Sequence, residues 1–156
     1  MKVNFFLILY IFILNSCHSQ EQKVMQKPEI KSEKEWKEIL TEQEFEVLRN
    51  KATERPYTGI YNDFFEEGMY VCAGCDNELF SSDAKFNSHC GWPSFDSAKK
   101  DAVIYEKDSS YGMIRTEVMC AKCGGHLGHV FDDGPEETTG KRYCTNSVSI
   151  KFIPKK

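Results

Sequence analysis

The sequence has no apolar run long enough to cross a membrane as a helix. Its longest such run, at residues 5–14, has about half of the ~20 residues that a transmembrane helix needs. It also has no stretch in which Lys or Arg clusters with aromatic residues, and acidic residues outnumber basic ones by 24 to 20. We therefore expect no nucleic-acid partner. A chain of 156 residues with 40% apolar content is typical of one domain, and we expect a monomer.

The short apolar run has the features of an export signal. It follows Lys2 and is followed by Asn15, Ser16 and Cys17, an order typical of a secretory signal peptide. The segment Leu14-Asn15-Ser16-Cys17 resembles a bacterial lipobox, in which the chain is cleaved before a cysteine that carries lipid. The sequence predicts a signal peptide over 1–16 and a lipid anchor on Cys17, with an ordinary secretory signal as the alternative. Either signal predicts an exported protein of the bacterial cell envelope, and the lipobox predicts one that faces the periplasm and meets the membrane only through its lipid.

A polar segment separates this signal from the predicted folded domain. Residues 18–31 have almost no apolar side chains and cannot bury enough surface to fold, so we interpret 17–31 as a tether and 32–156 as the domain. Two capping boxes, Ser32-x-x-Glu35 and Thr41-x-x-Glu44, predict two short helices. Their predicted apolar faces are Trp36, Ile39 and Leu40 in the first helix and Phe45 and Leu48 in the second.

Beyond residue 53 the chain lacks a long helical pattern. Short apolar or β-branched runs alternate with Gly, Asp, Asn and Ser, which is typical of antiparallel strands. The absence of helical crossovers disfavours a doubly wound sheet. The predicted strands are 68–72, 103–107, 111–119, 129–131 and 147–153. The predicted fold class is therefore mainly β, a small antiparallel domain with short N-terminal helices.

Four of the seven cysteines form two matching pairs, Cys72-x-x-Cys75 and Cys120-x-x-Cys123. A two-residue spacer lets both sulfurs of such a knuckle face one ion, and Zn²⁺ binds four thiolates in a tetrahedron. The pattern predicts one structural zinc ion per chain. Iron in the same cage, two disulfides and two redox-active pairs are the alternatives.

Two cysteines then remain for redox chemistry, Cys90 and Cys144. On a strand, Arg142, Cys144 and Asn146 share one face. Arg142 would stabilise the reactive thiolate there, and Asn146 would donate a hydrogen bond to an oxygen bound beside it. The alternative for Cys144 is a buried structural cysteine.

Two histidines and a tryptophan complete the candidate site. His126 and His129 follow the second knuckle directly, and because four thiolates already saturate the ion, we predict proton donors rather than metal ligands. A structural role for one of them is the alternative. Trp92 lies in the turn Gly91-Trp92-Pro93, where its indole would pack against a methyl group or, alternatively, fill the core.

These segments together resemble the methionine-R-sulfoxide reductases of the B type. The resemblance extends from about Trp36 to Phe152 and includes both cysteine knuckles. The matching motifs are Gly91-Trp92-Pro93-Ser94-Phe95, His126-Leu127-Gly128-His129-Val130-Phe131, Asp133-Gly134-Pro135 and Arg142-Tyr143-Cys144-x-Asn146-Ser147. It implies a β-tent fold with zinc opposite the active site.

The resemblance also implies an activity, the reduction of the R epimer of methionine sulfoxide in oxidised proteins. Cys144 would attack the sulfur and become a sulfenic acid. Cys90 would then condense with it to a disulfide, which a thioredoxin-like reductant would reopen. The implied roles of the other residues are proton donation and positioning for His126, His129 and Asn146, orientation of a histidine for Asp133, and substrate binding for Trp92 and Phe131.

Two other functions remain open from the sequence. The tether and knuckles also fit a zinc-stabilised envelope lipoprotein that binds a partner without turnover. A general disulfide oxidoreductase would instead use Cys72 and Cys75 as its reactive pair. Export leaves the electron donor open as well, because thioredoxin is not an obvious resident of an oxidising compartment.

Overall fold

The computed structural model describes residues 31–156. The predicted signal peptide, Cys17 and the tether up to residue 30 lie outside the described residues. Among residues 31–156, no helix is both long enough and apolar enough to cross a membrane.

Two short helices open the described chain, α1 (Glu33–Ile39) and α2 (Glu42–Leu48). Each begins at its predicted capping box. The backbone N–H of Ser32 donates to the Glu35 carboxylate at 2.7 Å, and that of Thr41 donates to Glu44 at 2.8 Å. In return, each cap hydroxyl accepts from the backbone N–H of its glutamate. These bonds satisfy first-turn amides that have no partner inside a helix.

The buried faces of the helices match the prediction except at one residue. Trp36, Leu40, Phe45 and Leu48 are buried, whereas Ile39 is 57% exposed. α1 ends at Ile39, and the backbone becomes extended at Leu40. The chain therefore turns Leu40 toward the core and leaves Ile39 at the surface.

Nine antiparallel strands follow in residues 68–154. They are β1 (Gly68–Cys72), β2 (Glu78–Ser81), β3 (Lys85–Phe86), β4 (Ser94–Phe95), β5 (Val103–Asp108), β6 (Arg115–Cys120), β7 (His126–Phe131), β8 (Arg142–Thr145) and β9 (Ile150–Pro154). One sheet has the order β2-β1-β9 and the other the order β3-β4-β8-β7-β6-β5. The mainly β, antiparallel fold class is thus confirmed.

Strand boundaries differ from the prediction where tight turns interrupt the pattern. The strand at 68–72 is confirmed, and 103–107 is one residue longer than predicted. The strands predicted from residues 111 and 147 begin later, at Arg115 and Ile150, because 3-10 turns occupy 110–112 and 147–149. The strand predicted at 129–131 is the second half of a longer strand, His126–Phe131.

One apolar core joins the helices to both sheets. Its members include Trp36 and Leu48 from the helices, Tyr70 from β1 and Leu127 from β7. Phe80 of β2 stacks on Phe95 of β4 with ring centroids 4.3 Å apart, so the two sheets are in direct contact.

Candidate active site

The six-stranded sheet brings a row of reactive side chains together from distant parts of the sequence. Cys144 of β8 pairs with Ser94 of β4 on one side and with His129 of β7 on the other. His129 in turn pairs with Glu117 of β6, which pairs with Glu106 of β5. Directly opposed residues of antiparallel strands project from the same face. Strand register therefore places the predicted nucleophile beside the predicted proton donor.

A β-bulge brings His126 to that same face. Residues three apart on a regular strand point to opposite faces, so His126 and His129 would be separated without it. Between the pairs Val118–Gly128 and Met119–His126, β7 has one residue more than β6. Leu127 is that extra residue, and it turns into the core. The two imidazole rings consequently lie with centroids 5.5 Å apart.

Cys90 and Cys144 are in contact as free thiols, with their sulfurs 3.5 Å apart. A disulfide bond needs about 2.05 Å, so a small displacement would join them. Cys90 also lies 3.0 Å from the Ser88 hydroxyl and 3.4 Å from the Ser94 hydroxyl. The predicted redox pair is thus assembled from a loop and β8.

The two thiols titrate in opposite directions. The hydrogen bond from Cys144, helped by the Ser88 and Ser94 hydroxyls, lowers the pKa of Cys90 to about 4. The neighbouring Cys90 and burial raise the pKa of Cys144, and Arg142 opposes this effect only in part. At neutral pH the negative charge of the resting pair therefore lies on Cys90. Arg142 acts on Cys144 in the predicted direction, because the guanidinium favours the thiolate, but in the resting pair the adjacent sulfur and burial outweigh it.

Asp133 holds Arg142 rather than a histidine. Its carboxylate accepts from Nε and Nη2 of Arg142, both at 2.8 Å. The guanidinium also lies 4.5 Å from the ring centroid of Phe131. The role predicted for Asp133 is corrected accordingly: among the described residues its hydrogen-bond partner is Arg142 and not a histidine, so Asp133 fixes the cation beside Cys144. Phe131 supports that same cation, and its contact with substrate stays a prediction.

The histidines have other carboxylate partners. His126 Nδ1 lies 2.7 Å from Glu117 Oε1, and His129 Nε2 lies 2.8 Å from Asp108 Oδ2. Asp108 also accepts from Arg115 at 2.5 Å. Burial lowers the pKa of His126, while Glu117 acts in the opposite direction. Both imidazoles are thereby held in fixed orientations beside Cys144.

Asn146 is bound to the backbone. It is 3% exposed, its Oδ1 accepts from the Glu54 N–H at 3.0 Å, and its Nδ2 donates to the Leu127 carbonyl at 3.0 Å. Because Leu127 is the extra residue of the β-bulge, this hydrogen bond stabilises the bulge that places His126 on the face of His129. A direct bond from Asn146 to a bound oxygen stays a prediction.

Residues 54–57 clamp the loop that carries Cys90 and Trp92. The Trp92 indole N–H donates to the Glu54 carbonyl at 3.2 Å, and the Tyr57 N–H donates to the Gly91 carbonyl at 2.7 Å. Gly91 has φ 95°, and a Cβ there would lie 2.7 Å from Cβ of Pro56. The buried Glu54 carboxylate accepts from the N–H of Ser147 at 2.6 Å. Trp92 is partly exposed, so packing against a substrate methyl group stays a prediction for it.

A cavity of about 310 Å³ opens beside the two histidines. Its walls include Lys51, Asp108, Tyr111 and Glu117. This volume is at the lower end of the range for ligand-binding clefts. The cavity is large enough for a side chain rather than for a large cofactor.

The four knuckle cysteines form a compact cluster. Cys72 and Cys75 lie at the end of β1 and in the turn after it, and Cys120 and Cys123 have the same relation to β6. All four sulfurs lie within 4.8 Å of one another, with Cys72–Cys123 at 3.7 Å and Cys75–Cys120 at 3.6 Å. A tetrahedron with bonds of 2.3 Å has edges of about 3.8 Å. The thiols are free and are close enough to bind one metal ion.

Comparison with known proteins decides the family. A family model described as the SelR domain matches residues 40–154. The chain is 59% identical over 127 residues to a peptide methionine sulfoxide reductase MsrB of Bradyrhizobium diazoefficiens, a match that covers 81% of this chain and 91% of that protein. A protein of the same name from Methanosarcina barkeri is 57% identical over 130 residues, covering 81% and 89%. A probable methionine-R-sulfoxide reductase B of Caenorhabditis elegans is 52% identical over 135 residues, covering 85% and 89%.

The chain belongs to the methionine-R-sulfoxide reductase B family. The resemblance found in the sequence is thereby confirmed, and a binding module without turnover is not favoured for a chain of this family. Sequence reasoning missed the carboxylates that orient the histidines, Asp108 and Glu117, and also the clamp residue Glu54. All three lie within residues 40–154, which the family model matches, but outside the motifs that carry the reactive side chains.

Proposed function

We propose that this methionine-R-sulfoxide reductase B reduces the R epimer of methionine sulfoxide in oxidised proteins through Cys144 and Cys90. The observation that carries the proposal is the 3.5 Å contact between the two sulfurs, in a row with His129 and Glu117. Family membership supports the choice of substrate. A nucleophile, a proton donor and a resolving thiol are the groups that this reduction requires.

The first step forms a bond between Cys144 and the substrate sulfur. As the substrate binds, Cys144 gives its proton to the thiolate of Cys90, and its own thiolate attacks the sulfoxide sulfur. Oxygen leaves sulfur poorly unless it is protonated, so His126 or His129 supplies a proton to it. The protonated oxygen then passes from the substrate sulfur to the Cys144 sulfur as the new sulfur–sulfur bond breaks. The products are methionine and a sulfenic acid on Cys144, and the two electrons that reduce the sulfoxide come from the Cys144 sulfur.

The second step uses Cys90 and returns the enzyme to its starting state. The Cys90 sulfur attacks the sulfenic acid, water leaves and a disulfide joins the two cysteines. A dithiol donor of the thioredoxin type then reduces this disulfide by thiol–disulfide exchange. Because Cys90 is partly exposed, such a donor has access to one sulfur of the bond.

Zinc is the metal we propose for the four-cysteine cluster. The separations of 3.6 and 3.7 Å between its sulfurs match a tetrahedron of zinc–thiolate bonds. Zinc has no redox chemistry of its own, so its contribution is structural. It would tie the β1–β2 turn to the β6–β7 turn and so hold the start of β7, where His126 lies.

An epimer-resolved assay tests the proposed function. With dithiothreitol as the donor, the purified mature protein is expected to convert peptide-bound R-methionine sulfoxide to methionine and to leave the S epimer unchanged, because the fixed positions of Cys144 and the histidines fit one arrangement of methyl, oxygen and lone pair. The measurement is chromatography of both epimers and of methionine over time. Equal use of the epimers, or no use of the R epimer, would refute the proposal.

We further propose that the protein is an exported lipoprotein of the cell envelope. Support comes from the apolar run at residues 5–14 and from the Leu14-Asn15-Ser16-Cys17 segment. The intact mass of detergent-extracted protein is expected to equal that of residues 17–156 plus a lipid group. The matched variant Cys17→Ser is expected to stay uncleaved and to carry no lipid. An unmodified N-terminus at another residue would exclude the lipid anchor.

A further inference from the structure

Three charged or titratable side chains contact one another in a row that runs from the end of the helical segment into the active site. Lys51 Nζ lies 2.7 Å from Glu117 Oε2, and Glu117 Oε1 lies 2.7 Å from His126 Nδ1. Lys51 follows α2 and is 54% exposed at its side chain. Glu117 and His126 are 3% and 2% exposed. This row of contacts therefore connects a solvent-facing ammonium to a fully buried imidazole.

The outer nitrogen of His126 has no partner. Nε2 is buried and makes no hydrogen bond with any described residue, and His126 lines the cavity beside His129. Such buried polar atoms are usually paired, so an unpaired one next to a cavity indicates a group that meets a ligand. Nε2 is thus the atom of His126 that faces incoming substrate.

The Glu117 contact determines what Nε2 does. A carboxylate only accepts hydrogen bonds, so Nδ1 of His126 must carry a hydrogen. In neutral imidazole Nε2 then has no hydrogen and can only accept. It can donate to a sulfoxide oxygen only when His126 is the imidazolium cation. Any charge that favours or disfavours this cation therefore affects proton delivery.

The neighbouring charges act in opposite directions. Glu117 favours the cation, whereas burial, His129 and Lys51 disfavour it. Lys51 also lies 3.9 Å from Glu106, so part of its charge is compensated there. The other titratable or charged groups around this site are Lys107 and Asp108 on β5, Tyr111 in the turn after it, Arg115 on β6, Cys144 and Arg142 on β8, and Cys90 in its loop.

We propose that Glu117 and Lys51 are positioning residues that set, in opposite directions, how readily His126 holds the proton that it delivers to the sulfoxide oxygen. Glu117 orients the ring and stabilises the cation. Lys51 holds Glu117 in place and weakens that stabilisation. The inference rests on the proposed function, because only sulfoxide reduction requires this proton.

The two variants Glu117→Gln and Lys51→Met are expected to move the alkaline limb of the pH–rate profile in opposite directions. In this limb the rate falls as pH rises through the pKa of His126, since the imidazolium cation is lost. Without the carboxylate the limb moves to lower pH by about 1 unit, and because the protonated fraction falls by the same factor, the rate at pH 7 falls by up to about 10-fold. Without the ammonium it moves to higher pH by a smaller amount, because Lys51 is half exposed and screened. The measurement is single-turnover release of methionine from pH 5 to 10.

A second readout follows the imidazole itself. In protein with labelled histidine, the NMR titration of the His126 ring, assigned with His126→Gln, is expected to shift in the same directions as the rate. Lys51→Arg keeps the charge and is expected to match the unmodified protein. Lys107→Met is the charge control, because Lys107 lines the same cavity but pairs in register with Thr116 rather than with Glu117. Neither control variant is expected to move the limb.

Shifts in the same direction, or lower rates with an unmoved limb, would overturn the inference. If the buried Glu117→Gln variant does not fold, Lys51→Met against Lys51→Arg decides the matter, and equal limbs for those two overturn it. A failure of the proposed function looks different, because the unmodified protein would then release no methionine from the R epimer or would use both epimers equally.

Discussion

Replacing Cys144 with serine is expected to abolish methionine release, lowering the single-turnover rate by about 10⁴-fold or more, as expected when an enzyme loses its nucleophile. A serine hydroxyl is a far weaker nucleophile than a thiolate at neutral pH. It has no sulfur electron pair to give to the substrate, so no sulfenic acid can form. Among residues 31–156 the other thiols are the four of the metal cluster and Cys90, and Cys90 does not lie on the strand that places Cys144 beside His129. The measurement is methionine formed per enzyme in the absence of a donor.

Cys90→Ser is the control for Cys144→Ser, because it removes the other sulfur of the Cys90–Cys144 contact. It is expected to release one methionine per enzyme and then to turn over poorly with a thioredoxin-like donor, because no disulfide forms. The burst is expected to be slower, since the proton of Cys144 loses its acceptor at 3.5 Å. A sulfenic-acid reagent should label Cys144 in this variant and not in the unmodified protein. Full turnover by Cys90→Ser would remove Cys90 from the mechanism, and activity of Cys144→Ser would remove Cys144.

Local signals predicted the parts of the fold that depend on neighbouring residues. Both capping boxes involve residues three positions apart, and both helices begin where Ser32 and Thr41 predict. The strand at 68–72 was likewise found from its own pattern. β3 and β4 have two residues each, too few for an alternating pattern to show. The turns at 110–112 and 147–149 interrupt segments whose composition is that of a strand, so the sequence did not indicate where those strands begin.

In the active site, too, local motifs were predictable from the sequence, whereas contacts between strands were not. The sequence indicated Cys90, Cys144 and the two histidines because each lies in an unusual local motif. It did not indicate that Asp133 binds Arg142, because that choice depends on which strands are neighbours and in what register. The contact between Lys51 and Glu117 joins residues 66 positions apart, and the β7 bulge depends on how β6 is paired. Partners across strands are a property of the folded sheet, which no single segment specifies.

Removing the metal is expected to unfold the domain. Structural zinc sites bind with about 10–16 kcal/mol of free energy, comparable to or above the 5–15 kcal/mol that stabilises a typical domain. Here the ion would join the turn after β1 to the turn after β6, and so one sheet to the other. Even a loss of about 5 kcal/mol would lower Tm by about 20 °C. The measurement is thermal unfolding followed by circular dichroism, with and without a strong chelator.

Cys120→Ser and Cys144→Ser separate this structural effect from the loss of chemistry. Both remove one thiol, but only Cys120 belongs to the metal cluster, so Cys120→Ser should lose metal and stability whereas Cys144→Ser should keep one ion per chain and an unchanged Tm. Elemental analysis identifies the ion, and zinc requires that the protein be colourless, because iron–thiolate sites absorb visible light. A chelated protein with the original Tm would show that the four cysteines need no metal to hold the two sheets together. His126, the first residue of β7, lies three residues after Cys123. Partial loss of metal should therefore release the start of this strand and reduce methionine release before the domain unfolds.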